Sequence, residues 1–353
     1  MMKKILLVGP YPPPFGGISV QVQRIKKVLD RLSDYECHIL NIGENRTSQY
    51  DGAINVKGYG DFIKKLLSFA QKRYVIHIIT SGHNFKSWLS ALCCCLIGFI
   101  NSRHTIVTLG SGMLPEYLKK SGWLFQLVII LTLKLAGLIV CRNNESINAI
   151  ARKGVATRKI FNIPGFLGVS EADIGKMSSE MISFKRTHNP VIGIHVIKDP
   201  EYGLDFILDS LDELIIKFPN LGVFLIGIDQ RDLPVTTIRI DKHIFCTGSL
   251  EHSIALALMK QIRLFVRATT FDGDSNSVRE ALAVGTPVIA SKTDFRPNGT
   301  ILFEIGNSTE MIDQITNTIN LNLQIDRKIV ESERQGNLGR LLKLYDSLYA
   351  VCE

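Results

Sequence analysis

Short apolar runs alternate with longer amphipathic stretches along this chain. The first run, Lys4–Val8, is stopped by Gly9-Pro10 and reads as a buried strand. Around the stretch Ser19–Leu32, apolar residues fall at 18, 22, 25, 28, 29 and 32, which is close to helical spacing. The alternation continues with strands at Cys37–Asn41, Val75–Thr80, His104–Thr108, Gly137–Cys141 and Lys159–Ile163. Helices are expected at Asp61–Arg73, Lys86–Ile100, about 123–135, and from Asn143 through Lys153. This order predicts a parallel sheet covered on both faces.

Pro164–Asn189 interrupts the pattern. It is rich in Gly, Ser and charge, ends at His188-Asn189-Pro190, and reads as a domain junction. A second set of strands follows at Val191–His195, Gly222–Ile226, Ile244–Thr247, Arg263–Arg267 and Pro287–Ala290. Helices are expected at Gly203–Lys217, Ile254–Lys260, Asn276–Val284, Thr309–Ile319 and Leu338–Leu348. The chain is therefore expected to be α/β, with two doubly wound Rossmann-like parallel-sheet domains at 1–165 and 191–336 and a linker at 166–190. Such sheets bind ligands at the carboxyl ends of their strands, and the gap between two such domains is the expected site.

Composition agrees: 353 residues, 46% hydrophobic and 21% charged, suit about two globular domains and exclude a disordered chain. Charge divides unevenly. Residues 1–165 hold 22 Lys/Arg against 8 Asp/Glu, a net +14, and residues 166–353 hold 19 against 25, a net −6. The basic half suits an anionic membrane or a phosphorylated ligand, and no nucleic-acid signature accompanies it. The seven Cys, three of them adjacent at 93, 94 and 95, form neither a disulfide framework nor a CxxC pair for zinc. They fit a reducing, cytoplasmic setting. The apolar run before Pro10 is too short for a signal peptide.

Two segments raise the question of a membrane. Trp123–Cys141 has 19 residues and a single charge, Lys134. A lysine central in a span would cost about 2.5–3.5 kcal/mol, so the segment reads as a buried helix followed by a strand. Asp61–Arg73 combines Phe62, Ile63, Leu66, Leu67 and Phe69 with Lys64, Lys65, Lys72 and Arg73. It reads either as an ordinary amphipathic domain helix or as a contact with an anionic bilayer surface, and the basic half-chain points to peripheral membrane contact through the first domain.

The richest chemistry lies in Arg267–Ala290. A strand ends at Arg267, and a polar loop, Asp272-Gly273-Asp274-Ser275-Asn276-Ser277, opens a helix that carries Glu280 and stops at Gly285. Free backbone N–H groups at a helix N-terminus form an anion site suited to a diphosphate. Ser275 and Ser277 can add hydroxyl donors. Glu280 can accept from the vicinal hydroxyls of a ribose, and Asp272 from a sugar ring. A simple helix cap explains one such residue but not the whole set.

Asp272-x7-Glu280, followed by Ala281-Leu282-Ala283-x-Gly285-Thr286-Pro287-Val288-Ile289-Ala290, resembles the E-x7-E block of the retaining GT-B glycosyltransferases, in particular glycosyltransferase family 4. Ser291–Gly299 (SKTDFRPNG) resembles a polysaccharide-synthesis branch of that family. The resemblance implies that Glu280 binds the nucleotide ribose and Asp272 contacts the transferred sugar. It also implies a terminal helix, here within 337–353, that crosses back to the first domain. Asp272 stands where the family has Glu, and DGDSNS replaces an apolar loop.

Other loops fill out the resemblance. Gly9–Gly17 (GPYPPPFGG) follows the first strand, and Gly16 and Gly17 match the family's glycine loop near donor phosphate and acceptor. In His195–Gly203, Tyr202-Gly203 stands where the family has Lys-Gly, so Lys198 and Arg267 are the candidate diphosphate cations. In Thr108–Glu116, Gly110 and Ser111 stand where the family has a His, and His83 is the better-placed polar loop residue. These three are the expected acceptor contacts, and His104 is expected to be structural. The donor set is thus Gly16, Gly17, Lys198, Arg267, Gly273, Asp274, Ser275, Asn276 and Ser277. The expected activity is metal-independent, retaining transfer of a hexose-type sugar from a nucleotide diphosphate donor to a hydroxyl of a glycan or lipid-linked acceptor. No cofactor is expected beyond that donor substrate, and no nucleic-acid partner. The setting would be cytoplasmic, at the inner face of the membrane. An accessory, non-catalytic subunit and a nucleotide-sugar epimerase on the same fold are the alternatives.

Overall fold

The computed structural model describes residues 2–350 except 48–51, 103, 112–113, 166–168, 170–173, 234–240, 273–274, 294, 322, 324 and 326, and except the side chains of 327–335 and 350. It divides into two compact units, Met1–Leu167 with Gly336–Glu353, and Gly168–Gln335.

Unit 1 runs β1 (Lys3–Gly9), α1 (Gly17–Leu29), β2 (Tyr35–Asn41), β3 (Ile54–Asn55), α2 (Tyr59–Gln71), β4 (Val75–Thr80), α3 (Phe85–Ile100), β5 (Thr105–Leu109), α4 (Leu114–Lys120), α5 (Trp123–Leu135), β6 (Leu138–Cys141), α6 (Asn144–Ala151) and β7 (Ile160–Asn162). Its strands form one sheet in the order β3-β2-β1-β4-β5-β6-β7. Every pairing is parallel, as in Ile5 opposite Val75. Strand order reverses between β1 and β4. Side-chain caps set several helix starts: Asn84 accepts from the Ser87 amide and Asn143 from the Ser146 amide, each at 2.8 Å.

Unit 2 runs α7 (Ser179–Thr187), β8 (Val191–His195), α8 (Leu204–Lys217), β9 (Gly222–Ile226), β10 (Ile244–Cys246), α9 (His252–Gln261), β11 (Leu264–Arg267), α10 (Asn276–Ala283), β12 (Val288–Ser291), β13 (Thr300–Phe303) and α11 (Ser308–Asn320). Its parallel sheet is ordered β10-β9-β8-β11-β12-β13, reversing between β8 and β11. Gly203 opens α8 with φ of 67°, and a Cβ there would meet the Ala268 carbonyl at 2.7 Å. Only glycine satisfies both demands.

The last helix, α12 (Arg327–Ala350), returns its second half to unit 1. Leu341, Leu344, Tyr345 and Leu348 pack there with Ile5, Leu7, Val22 and Ile79. His77 on β4 clamps the joint, with Nδ1 2.7 Å from the Tyr345 hydroxyl and Nε2 2.8 Å from Thr108 Oγ1. Burial pushes its pKa down to about 3, so the ring is neutral and bonds through one donor and one acceptor.

Three sequence expectations change. The segment 166–190 is not all linker: α7 lies within it, with Phe184 against Phe224 and Phe245 at ring distances of 5.0 and 5.5 Å. α2 does not offer its apolar side to a membrane, because Phe62 and Leu66 are buried in the unit 1 core. The segment from Trp123 does break into helix and strand at Ala136-Gly137, but α5 buries only Ile129, Thr132 and Leu133. Among the described residues, no helix is long and apolar enough to cross a membrane.

Candidate functional site

The sheet reversal in unit 2 places the ends of β8 and β11 side by side, where doubly wound sheets hold their ligands. His195 ends β8 and Arg267 ends β11. The Arg267 guanidinium donates to His195 Nδ1, and Arg267 Nε donates to Asp272 Oδ2 at 3.0 Å. Its Cζ lies over the Tyr202 ring, 4.6 Å from the centroid. Tyr202, where the resemblance calls for a cation, therefore braces Arg267. A guanidinium only donates, so His195 Nδ1 accepts and the imidazole is neutral. Burial, reinforced by the Arg267 charge, pushes His195 down to about 3.

Asp272 has a second cationic partner. Arg296 Nη1 donates to the same Oδ2 at 2.9 Å, and Thr269 Oγ1 adds a third bond at 3.3 Å. Arg296 is anchored in turn on the Ser291 carbonyl and hydroxyl and on Thr269 Oγ1. Burial alone would raise the Asp272 pKa, but the two guanidinium groups outweigh it and hold the carboxyl below its ordinary value. The result is a fixed carboxylate. Among the described residues all its bonds fall on Oδ2, which leaves Oδ1 able to accept from a hydroxyl.

Glu280 lies one turn into α10 and is buried, with Oε1 3.0 Å from His252 Nε2 at the start of α9. Asn276 and Ser277 are the first residues of α10, and Ser275 is its N-cap. The Ser275 side chain makes no capping bond; its hydroxyl lies 3.0 Å from that of Ser277. Two hydroxyls thus stand at a helix end whose amides face outward. Gly273 and Asp274 lie outside the described residues.

Lys198 does not join this group. It is 78% exposed and pairs with Asp232 at 3.2 Å, an arrangement of solvated charges. The sequence reading also passes over Arg296, His252 and His195. Arg296 sits in the SKTDFRPNG segment, but its pairing with Asp272 across 24 residues follows from the placing of β12. Nothing local marks His252.

In unit 1 the expected residues also stand at strand ends. Gly16 is the N-cap of α1 and Gly17 its first residue. The Gly16 φ of −139° suits any residue, and a Cβ there would meet nothing closer than Ser19 Oγ at 3.9 Å. Neither backbone strain nor packing within the protein demands glycine at 16. Gly110 differs: a Cβ there would lie 3.3 Å from Arg142 Nη2 and 3.2 Å from Ile18. Arg142, just past β6, is buried and donates to Gln21, and a side chain on Gly165 would collide with its guanidinium. Gly110 is thus shaped by Arg142, another residue the sequence reading misses. Ser111 donates its amide to the Ser81 carbonyl at 3.3 Å, and His83 is exposed in the turn before α3. His104 precedes β5 and packs on Gly137. Among the described residues, no three His, Cys, Asp or Glu side chains gather as a metal site.

The profile of the family Glycosyl transferases group 1 matches residues 191–320. That span contains β8 to α11, with the Arg267–Asp272–Arg296 cluster and the His252–Glu280 pair. No curated protein matches the chain significantly. Among solved structures, HepE of Anabaena, in complex with UDP and glucose, superposes with a TM-score of 0.70 at 17% identity over 99% of both chains. Sucrose-phosphate synthase of Thermosynechococcus elongatus gives 0.71 at 15% identity, covering 99% of this chain and all of its own. The UDP-GlcNAc 2-epimerase of Methanocaldococcus jannaschii gives 0.61 at 15% identity, covering 97% of this chain and all of its own. These likenesses establish the fold, and the family match lies on the unit that holds the paired acids. Residues 191–320 thus carry a domain of the group 1 glycosyltransferases, and the chain has the two Rossmann-like domains of the GT-B fold.

Proposed function

We propose that this chain is a retaining, metal-independent transferase of the family 4 type. In this reading it moves a hexose-type sugar from a nucleotide diphosphate donor to a hydroxyl of a glycan or lipid-linked acceptor. The setting is cell-surface polysaccharide or glycolipid synthesis at the inner face of an anionic membrane. The observation that carries the reading is the pair of pre-set carboxylates around the α10 N-terminus. Glu280, bonded to His252, faces a ribose diol, and Asp272, pinned through one oxygen, presents the other to the sugar. The α10 amides and the Ser275 and Ser277 hydroxyls receive the diphosphate. Two guanidiniums against one carboxylate leave the Arg267–Asp272–Arg296 cluster net positive, which offsets charge on the departing diphosphate. Gly16 supports close approach of ligand, since its missing side chain serves no purpose inside the protein.

Uridine is the base this reading favours, because HepE is solved with UDP and the epimerase acts on UDP-GlcNAc. A thermal-shift panel of UDP-, GDP-, ADP- and dTDP-sugars tests it. A bound donor at 100 times its Kd adds about 2.7 kcal/mol, and UDP-sugars should raise the Tm most. If none of the four classes stabilises the protein, the donor site is misassigned. Incubation of the preferred donor without acceptor separates transfer from epimerisation, since only an epimerase then yields a new sugar.

A further inference from the structure

The helix layer over one face of the unit 1 sheet is unusually open. On α3, Phe85, Leu96, Phe99 and Ile100 are exposed, and Leu89 and Leu92 are partly so. Residues 85, 89, 92, 96 and 99 make one stripe at helical spacing. On the neighbouring α5, Trp123, Leu124, Leu127 and Leu131 form a second stripe, with exposures of 72, 62, 55 and 48%. Phe85 and Phe125 join the two helices, their ring centroids 5.1 Å apart. An apolar face of this extent is rare on a protein that meets only water.

Its surroundings say what covers it. α3 and α5 contain no acidic residue, and their only charges are Lys86 and Lys134. Residues 85–159 hold 10 Lys/Arg against 2 Asp/Glu. Beside α5 a groove of about 410 Å³ opens between α4 and α6, lined by Pro115, Leu118, Lys119, Glu145, Arg152 and Lys153. Lys153 ties it to α5 through Gln126 at 2.7 Å. Three cations in a groove at the rim of an apolar, aromatic face match the layers of a bilayer: acyl chains for the face, anionic headgroups for the groove. A second copy fits worse, because a two-fold contact would oppose this basic rim to itself.

We infer that unit 1 docks on an anionic phospholipid bilayer through the joined faces of α3 and α5, with a lipid headgroup phosphate held by Lys119, Arg152 and Lys153. This deepens the membrane part of the proposed function and is independent of its donor part. α5 has 13 residues, about 20 Å of helix, and lies in the interface rather than spanning it.

The test is flotation of the full chain with vesicles of phosphatidylcholine alone or with about one-third phosphatidylglycerol. Binding to the anionic vesicles is expected, weakened by 0.5 M salt. Leu124→Glu with Leu127→Glu should reduce partitioning at least about tenfold, and Lys119→Glu with Lys153→Glu about three- to tenfold. Both pairs should keep the nucleotide-sugar thermal shift, which separates loss of docking from loss of the donor site or of folding. A readout on the unaltered protein comes from its two tryptophans. Trp88 is fully buried and Trp123 is open, so brominated acyl chains should quench Trp123. Unquenched Trp123, vesicle binding unmoved by either substitution pair, or a dimer that the leucine pair disperses without any vesicle binding would overturn the assignment.

Discussion

The strand ends of the two sheets are built on opposite plans. In unit 2 they gather buried charge held by other side chains: Arg267 and Arg296 bond to Asp272, and His252 bonds to Glu280. In unit 1 they carry glycine and serine at 16, 17, 110 and 111, and the buried guanidinium of Arg142 lies against Gly110. A ligand of fixed shape and charge rewards groups already held in place, since the site then need not reorganise when it binds. On the proposed function, open space at Gly16 would admit a range of acceptor hydroxyls, and the contrast would make unit 2 specific through electrostatics and unit 1 through room.

The sharpest way to break this contrast is Glu280→Ala. If Glu280 holds a ribose diol, two hydrogen bonds to a charged group are lost, each about 1.5–3 kcal/mol. Transfer should then fall at least about a hundredfold, measured as kcat/KM for the donor, under conditions where the variant is shown to be folded. A variant that keeps full activity would mean that the buried acid is purely structural. Arg296→Met acts on the other acid. Removing one partner of a buried ion pair costs about 3–5 kcal/mol, so the unit 2 melting transition should drop by that amount. A drop below about 1 kcal/mol would show that Arg267 and Thr269 fix Asp272 alone.

His252→Ala is a smaller and more selective change. It removes the imidazole bond to Glu280, so donor KM should rise about tenfold, equivalent to about 1.4 kcal/mol, while kcat moves less. His252→Gln, whose amide can still donate, should recover much of the loss. Equal failure of both variants would instead indicate a need for the imidazole itself.

What the chain discloses before folding follows from range. β4, β8 and β9 run over the residues their apolar runs mark, Val75–Thr80, Val191–His195 and Gly222–Ile226. A strand buried on both faces must be continuously apolar. α7 escapes because Met181 and Phe184 are too few to make a pattern, and Phe224 and Phe245 complete its packing from far along the chain. β3 has two residues, and β13 is a short strand after a Pro/Gly-rich turn. The site divides likewise. Asp272 and Glu280 share one loop and helix, and their spacing is visible. His252 lies 28 residues from Glu280, and only the fold brings them to 3.0 Å. Lys198 shows the converse: it stands next to a strand end, yet its exposed side chain turns to Asp232.

The gentlest test concerns acid, and it asks whether the acid-sensitive part of unit 1 lies at the joint that holds α12. His77, between Tyr345 and Thr108, has a folded pKa of about 3 against an ordinary 6.5. The unfolded chain therefore takes up this proton first. The stability that His77 contributes is whole above pH 6.5 and is lost as pH falls from there toward 3, at up to about 1.4 kcal/mol per pH unit. Asp272, depressed in the folded state, adds its own loss only below its ordinary value of 3.8, so pH 5 isolates the histidines. Between pH 7 and 5 the unit 1 transition should lose about 2 kcal/mol, and His77→Gln should flatten that slope while lowering the Tm at pH 7. The unit 2 transition, governed by His195, should keep its slope in the same variant. If the variant's unit 1 transition still steepens in acid, a different buried group carries the titration, and the joint between β4 and α12 is not the acid-sensitive part of unit 1.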